Sequence, residues 1–340
     1  MNYGAPWWLP DGNMQTIWAA LHARRFEGPP PVFRRERWIT PDSDFVDVDW
    51  LVAKAESTGF AKHSAVSEGT KATSVGTPLL VVFHGLEGSS ASHYAQAFAD
   101  VASSRGWACA VPHFRGCSGE INLAPRAYHS GDFAEIDWIL RRFAGQHHGP
   151  VVAVGISLGG NALMRWAGEM GAEAGQVVAA IASICAPLDL AASGRAIGQG
   201  FNRQVYTRMF LKSMVPKALQ KLAQYPGLFD REALLAARDL YAFDNVFTGP
   251  VHGFKDVDDY WARASAKPHM GRIAVPALAL NALNDPFIPA SSLPRPADVS
   301  PEVTLWQPAQ GGHVGFPSSN FPAHVRAMPE AVAAFLAAQL

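Results

Sequence analysis

The chain predicts an α/β fold: a mixed but mostly parallel sheet, helices on both faces, and a helical insertion late in the order. Three observations carry this. Short, largely apolar runs recur at Leu79–Phe83, Trp107–Val111, Val151–Val154, Val177–Ile184, Ala277–Asn281 and Val303–Trp306. Such runs mark strands buried on both faces. Helical stretches separate them, at Tyr94–Arg105, Gly131–Ala144 and Asn161–Met170, and strand–helix alternation means parallel pairing. Ahead of them, Arg37–Thr40 and Phe45–Trp50 alternate apolar and polar residues, as antiparallel edge strands do.

Taken in order, residues 1–76 form an N-terminal arm with those edge strands. The arm holds a short helix over Met14–Arg25 and a proline turn at Pro29–Pro31. The stretch Ser57–Thr77, rich in Ala, Ser, Thr and Gly, reads as a long hairpin loop. No internal repeat is present. At 340 residues the chain is long for one core, yet a single α/β domain over 1–340 with an insertion reaches this size. That insertion is residues 190–267, where the rhythm breaks. Gly198–Asn202 is loop-like, and short helices fall at Arg203–Lys212, Pro216–Gln224 and Arg231–Ala237. Ligands of such sheets bind at the C-terminal strand edge. A helical cap there roofs a pocket, with Phe201, Met209, Phe210, Phe243 and Phe247 expected to line an acyl site.

The chemistry centres on Gly155-Ile156-Ser157-Leu158-Gly159, which follows the apolar run Pro150–Val154 and opens a helix. Strand, tight turn and helix are the context in which G-x-S-x-G is a nucleophile elbow. The turn strains the serine backbone and lifts its hydroxyl above the sheet edge. A serine needs a base to take its proton, usually a histidine oriented by a carboxylate. Asp285 stands where the Ala277–Asn281 strand opens into a loop stiffened by Pro286 and Pro289. His313 stands in the glycine-rich loop after Val303–Trp306. The order Ser157, Asp285, His313 is the one this architecture uses. Asp189, which also follows a strand, is the rival acid. Two backbone N–H groups must face the developing oxyanion: that of Leu158, next to the nucleophile, and that of Leu86, in His84-Gly85-Leu86-Glu87-Gly88 after Leu79–Phe83. His84 and Glu87 read as loop-shaping residues. Arg115, Ser118 and Glu120 are expected to hold their own loop together, and Asp132 and Glu135 to begin a helix.

Composition limits the alternatives. With 28 basic and 29 acidic residues there is no basic patch for nucleic acid. No apolar run approaches the roughly 18 residues that span a bilayer, and residues 1–8 lack the pattern of a signal peptide. Cys109, Cys117 and Cys185 are odd in number and scattered, which fits neither a disulfide framework nor a metal site and suits a reducing cytoplasm. Neither metal nor cofactor is expected. Nothing in the sequence sets the oligomeric state.

The same segments resemble the α/β-hydrolase superfamily, and within it the YheT-like, ABHD-type subfamily. The matching motifs are Asn13-Met14-Gln15-Thr16, His84–Ser89, Phe114–Glu120, Tyr128–Gly131, Gly155–Asn161 and Gly311–Phe316. The resemblance spans nearly the whole chain and is weakest from about Ser193 to Lys267. It implies Ser157 as nucleophile, Asp285 as acid and His313 as base, acting on a carboxylic ester or lipid-like substrate. An acyltransferase, a thioesterase or amidase using the same triad, and a non-catalytic lipid-binding protein remain open. A dehalogenase is disfavoured, since it needs aspartate where Ser157 stands.

Overall fold

A computed structural model describes residues 3–52 and 76–340. Helix α1 (Gly12–Leu21) is capped by Asp11, whose carboxylate accepts the Met14 N–H. It stops before Arg25, the expected end, because the chain turns to pair elsewhere. Arg24 N–H donates to Ala323 O, and Arg24 O accepts the Val325 N–H. Two strands follow, β1 (Phe33–Ile39) and β2 (Phe45–Leu51), paired antiparallel. Up to residue 75, the hairpin loop read over 57–77 lies outside the described residues.

The strand–helix alternation then runs through β3 (Leu79–Phe83), α2 (His93–Ser104), β4 (Ala108–Pro112), α3 (Phe133–Gln146), β5 (Val151–Ile156), α4 (Leu158–Met170) and β6 (Ala180–Ile184). Strand β6 starts later than expected, because the Val177 and Val178 N–H groups close a turn onto Ala174 O. The insertion comprises α5 (Leu190–Ile197), α6 (Gly200–Asn202), a π-helical turn Arg203–Thr207, α7 (Arg208–Gln224), α8 (Arg231–Ala236), α9 (Leu240–Phe243), a second π-helical turn Asp244–Thr248, α10 (Gly249–Val251) and α11 (Val257–Ala264). Strands β7 (Ala277–Leu280) and β8 (Val303–Trp306) and helix α12 (Ala327–Ala337) complete the chain.

Among the described residues, eight strands form one sheet in the order β1-β2-β4-β3-β5-β6-β7-β8. The β2–β4 pair is also antiparallel, and every pair from β4 to β8 is parallel. One face packs on α3 and α4 through Ile136, Leu140, Leu163 and Trp166. The other packs on α2 and α12 through Phe98, Val332 and Leu336. Helix α12 had no counterpart in the sequence reading. Its alanine-rich run offers little contrast between faces, and contrast is what marks an amphipathic helix.

The insertion departs most from expectation. Gly200–Gln224 is one continuous helical segment rather than a loop and two helices, and Pro216 lies inside it. A mid-helix proline removes one backbone hydrogen bond. Burial of Tyr206 and Ala218, with Phe210 and Met214 packed against neighbouring clusters, favours continuity over a break.

Candidate active site

Ser157 sits between β5 and α4 with φ 51° and ψ −115°, a backbone state that costs a non-glycine residue about 1–3 kcal/mol. Its surroundings impose it. The Ser157 N–H donates to Ile184 O at 2.8 Å, and Ser157 O accepts the Gly160 N–H at 2.9 Å. The flanking glycines have no room for a side chain. A Cβ on Gly155 would lie 2.4 Å from Gly159 O, and one on Gly159 would lie 2.6 Å from His84 O.

Asp285 and His313 converge on this serine. His313 Nε2 lies 2.9 Å from Ser157 Oγ, and His313 Nδ1 lies 2.8 Å from Asp285 Oδ2. With Nδ1–H donating to the carboxylate, Nε2 is free to accept the serine proton. The other Asp285 oxygen accepts the Phe287 N–H at 2.8 Å, and the Phe287 ring packs against His313 at 4.2 Å. Asp189 is elsewhere: it caps α5, accepting the Ala192 N–H.

Three residues not singled out in the sequence as site residues hold the His313 loop. Thr16 Oγ1 accepts the His313 N–H at 2.8 Å, Gln15 Oε1 accepts the Gly311 N–H at 2.8 Å, and Asn284 Oδ1 accepts the Gly312 N–H at 3.0 Å. Asn284 Nδ2 in turn donates to Gln15 Oε1. The only trace of Gln15 and Thr16 in the sequence is the Asn13-Met14-Gln15-Thr16 motif, and Asn284 is marked only as the neighbour of Asp285. Cys185 backs the same loop, its Sγ accepting the Val314 N–H at 3.3 Å. Burial, reinforced by Asp285, pushes the Cys185 thiol well above its usual range. Cys185, Asp285 and His313 have ligand atoms within 4.8 Å of one another. Both histidine nitrogens are already engaged, however, so the cluster is accounted for without a metal.

The loop after β3 is pinned on either side of Leu86. Gly85 N–H donates to Tyr94 Oη at 2.9 Å, Glu87 N–H to Tyr128 Oη at 3.0 Å, and Gly88 N–H to Gly85 O at 2.9 Å. Among the described residues, neither the Leu86 nor the Leu158 N–H meets an acceptor. Leu158 opens α4, where helix geometry leaves N–H groups unpaired. A Cβ on Gly85 would lie 3.3 Å from Ser157 Cβ, so the loop lies directly against the serine.

His84 shapes this loop from beneath. It is fully buried, Nδ1–H donates to Gly85 O at 2.7 Å, and Nε2 accepts the Phe114 N–H at 3.0 Å. Burial lowers its pKa to about 3, so the ring is neutral. Glu87 is held by Tyr128 and by Lys217 Nζ at 2.8 Å. Arg115 is engaged by Asp42, Asp44 and Glu135, Glu120 pairs with Arg37, and the Ser118 carbonyl accepts from Arg35. Glu135 does lie in the first turn of α3, but it is buried in the Arg115 ion cluster. Asp132, the residue before α3, pairs with Arg126. Asn161, two residues past the G-x-S-x-G motif, ties α4 to the insertion by donating to Ala264 O, and also donates to Ser130 O.

Ser157 and His313 open into a cavity between sheet edge and insertion. Phe210, Phe243 and Phe247 line it, as do Met214, Tyr260 and Trp261. Phe201 and Met209 do not. Both are more than half exposed, which corrects the expectation that they face an acyl group. The π-helical turn between them adds a residue to the helical repeat and carries Tyr206 and Phe210 inward instead.

The comparisons with known proteins agree with this architecture. The family model described as alpha/beta hydrolase fold matches residues 78–319. Over 307 residues the chain is 38% identical to "Putative esterase YheT" of Escherichia coli (strain K12), covering 89% of this chain and 84% of that protein. It is 24% identical to human "Phospholipase ABHD3" over 317 residues, covering 93% and 73%. The solved esterase Pf2001 of Pyrococcus furiosus shares the fold, with a TM-score of 0.55 at 12% identity, covering 93% of this chain and 97% of that one. A sheet of this topology, with a G-x-S-x-G elbow at its edge and kinship along nearly its whole length, belongs to the α/β-hydrolase family, in its YheT-like, ABHD-type branch.

Proposed function

We propose that the chain is a serine hydrolase of carboxylic esters working by two-step acyl transfer. The observation that carries this is the unbroken hydrogen-bonded line from Ser157 Oγ through His313 to Asp285, at 2.9 and 2.8 Å. Ser157 attacks the ester carbonyl while His313 Nε2 takes its proton. Asp285 fixes the tautomer of His313 and stabilises its charged form. The N–H groups of Leu86 and Leu158 hold the oxyanion, donors being most effective when they need not reorganise. His313 returns the proton to the leaving alcohol, and water repeats the cycle on the acyl-enzyme. On this reading residues 190–267 are a cap, and the apolar walls supplied by Phe210, Phe243 and Phe247 receive the acyl group. The names of two relatives, an esterase and a phospholipase, support the ester class. Three free cysteines support a reducing compartment, the cytoplasm.

A fluorophosphonate probe tests the proposal. Wild type should be labelled and Ser157→Ala should not, and p-nitrophenyl esters of graded acyl length should be hydrolysed by wild type alone. Folded wild-type protein that neither reacts with the probe nor hydrolyses any ester would sink the reading and favour a lipid-binding role. Ester products formed from an added alcohol would reassign the second step to acyl transfer.

A further inference from the structure

Among the described residues, the long helical segment of the insertion leaves an outer side exposed. Phe201, Val205 and Met209 recur every fourth residue along it and are 54%, 37% and 55% exposed. A row of exposed apolar side chains along one helical segment is the kind of surface through which proteins meet partners or membranes. Tyr206 Oη donates to Asn13 Oδ1 at 3.0 Å, which brings α1 alongside this segment.

Charge identifies the partner. Gly200–Gln224 contains Arg203, Arg208, Lys212, Lys217 and Lys221 and not one Asp or Glu. Lys217 and Lys221 turn inward, to Glu87 and to the carbonyls of Asn122 and Ala124. Arg203, Arg208 and Lys212 are exposed. Among the described residues none of these three forms an ion pair, and Arg208 reaches only Gln204, on its own helix. An apolar stripe flanked by unpaired cations is the pattern of a helix lying in an anionic lipid interface. A second copy of the chain would set these cations against their own image.

We propose that this face docks the protein on an anionic lipid surface. Phe201, Val205 and Met209 enter the boundary between headgroups and acyl chains, and Arg203, Arg208 and Lys212 meet the lipid phosphates. The inner side of the same helix, through Phe210 and Met214, walls the cavity, so docking sets one wall of the site against the lipid. The inference does not rest on the hydrolytic reading.

Flotation of the full chain with vesicles tests it. Wild type should float with phosphatidylcholine vesicles containing phosphatidylglycerol and be released by salt, and should float poorly with phosphatidylcholine alone. The triple variant Arg203→Gln/Arg208→Gln/Lys212→Gln should partition roughly a hundred-fold more weakly while still hydrolysing a soluble, monomeric ester at the wild-type rate. Phe201→Ser/Met209→Ser should also lose partition while keeping its melting temperature; if it fails to fold, the charge variant still decides. Ser157→Ala should float like wild type, so a failure of the hydrolase reading leaves this result intact. Absence of wild-type flotation, or equal flotation of wild type and the triple variant, overturns the proposal. So does a dimer, measured by light scattering, that Phe201→Ser/Met209→Ser dissolves, since the face would then belong to a second copy.

Discussion

Thr16 shows how a residue far away in sequence can hold His313 in place. Its hydroxyl donates to Gly12 O at 2.6 Å and accepts the His313 N–H at 2.8 Å. Thr16→Val keeps the shape and removes that acceptor. We expect kcat to fall on the order of ten-fold with KM nearly unchanged, because a small displacement of a base costs rate before it costs affinity. Unchanged kcat would show that the loop is held without it. Asp285→Asn should cost far more, roughly 10⁴-fold in kcat, through loss of the His313 tautomer. Ser157, Asp285 and His313 were legible in the sequence because the chemistry needs those residue types, in that order, at strand ends. Gln15, Thr16 and Asn284 were not. Their role lies in hydrogen bonds to partners hundreds of residues away for Gln15 and Thr16, and no local pattern announces such bonds.

Among the elements, the loop between β3 and α2 is the most tightly specified. A Cβ on Gly88 would lie 2.3 Å from Tyr94 Oη and 3.0 Å from Gly85 O, and Tyr94 Oη is the acceptor of the Gly85 N–H. Gly88→Ala therefore pushes on both supports of Leu86. Turnover should drop by about 10²-fold, the usual effect of losing an oxyanion donor, while labelling of Ser157 by a fluorophosphonate slows but persists. Full activity in Gly88→Ala would detach this loop from the oxyanion. The β-strands were legible to within a few residues, since short, largely apolar runs admit few alternatives. The insertion was less so. Residue type marks a side chain as apolar but not which way it faces, and the π-helical turn Arg203–Thr207 shifts that facing, so Phe201 and Met209 were expected in the pocket while Tyr260 and Trp261, which line it, were not.

For the molecule as a whole, the buried histidines couple stability to pH. His84 has an ordinary pKa of 6.5 that burial, together with His113, lowers to about 3 in the folded state. Between those values only the unfolded chain takes up the proton, so its contribution to stability is complete above 6.5 and is lost as pH falls toward 3. His84→Gln removes that linkage. Relative to wild type it should gain about 1.4 kcal/mol for each pH unit below 6.5, read from denaturant melts between pH 7 and 4.5. A constant difference across that range would mean that His84 takes up its proton as readily in the fold as in the unfolded chain. The architecture was legible at this scale because strand–helix alternation admits few topologies. The closure of the chain on itself was not. Helix α1 grips the loop carrying His313 across a sequence separation of 297 residues, and Trp18 donates to Pro322 O across 304. The order of the residues also sets an order in time. A ribosome making this protein releases Ser157 long before Asp285 and His313 exist. On the proposed reading, hydrolytic competence would wait until the His313 loop had been made and had met Gln15 and Thr16, leaving the nascent chain harmless to the esters around it.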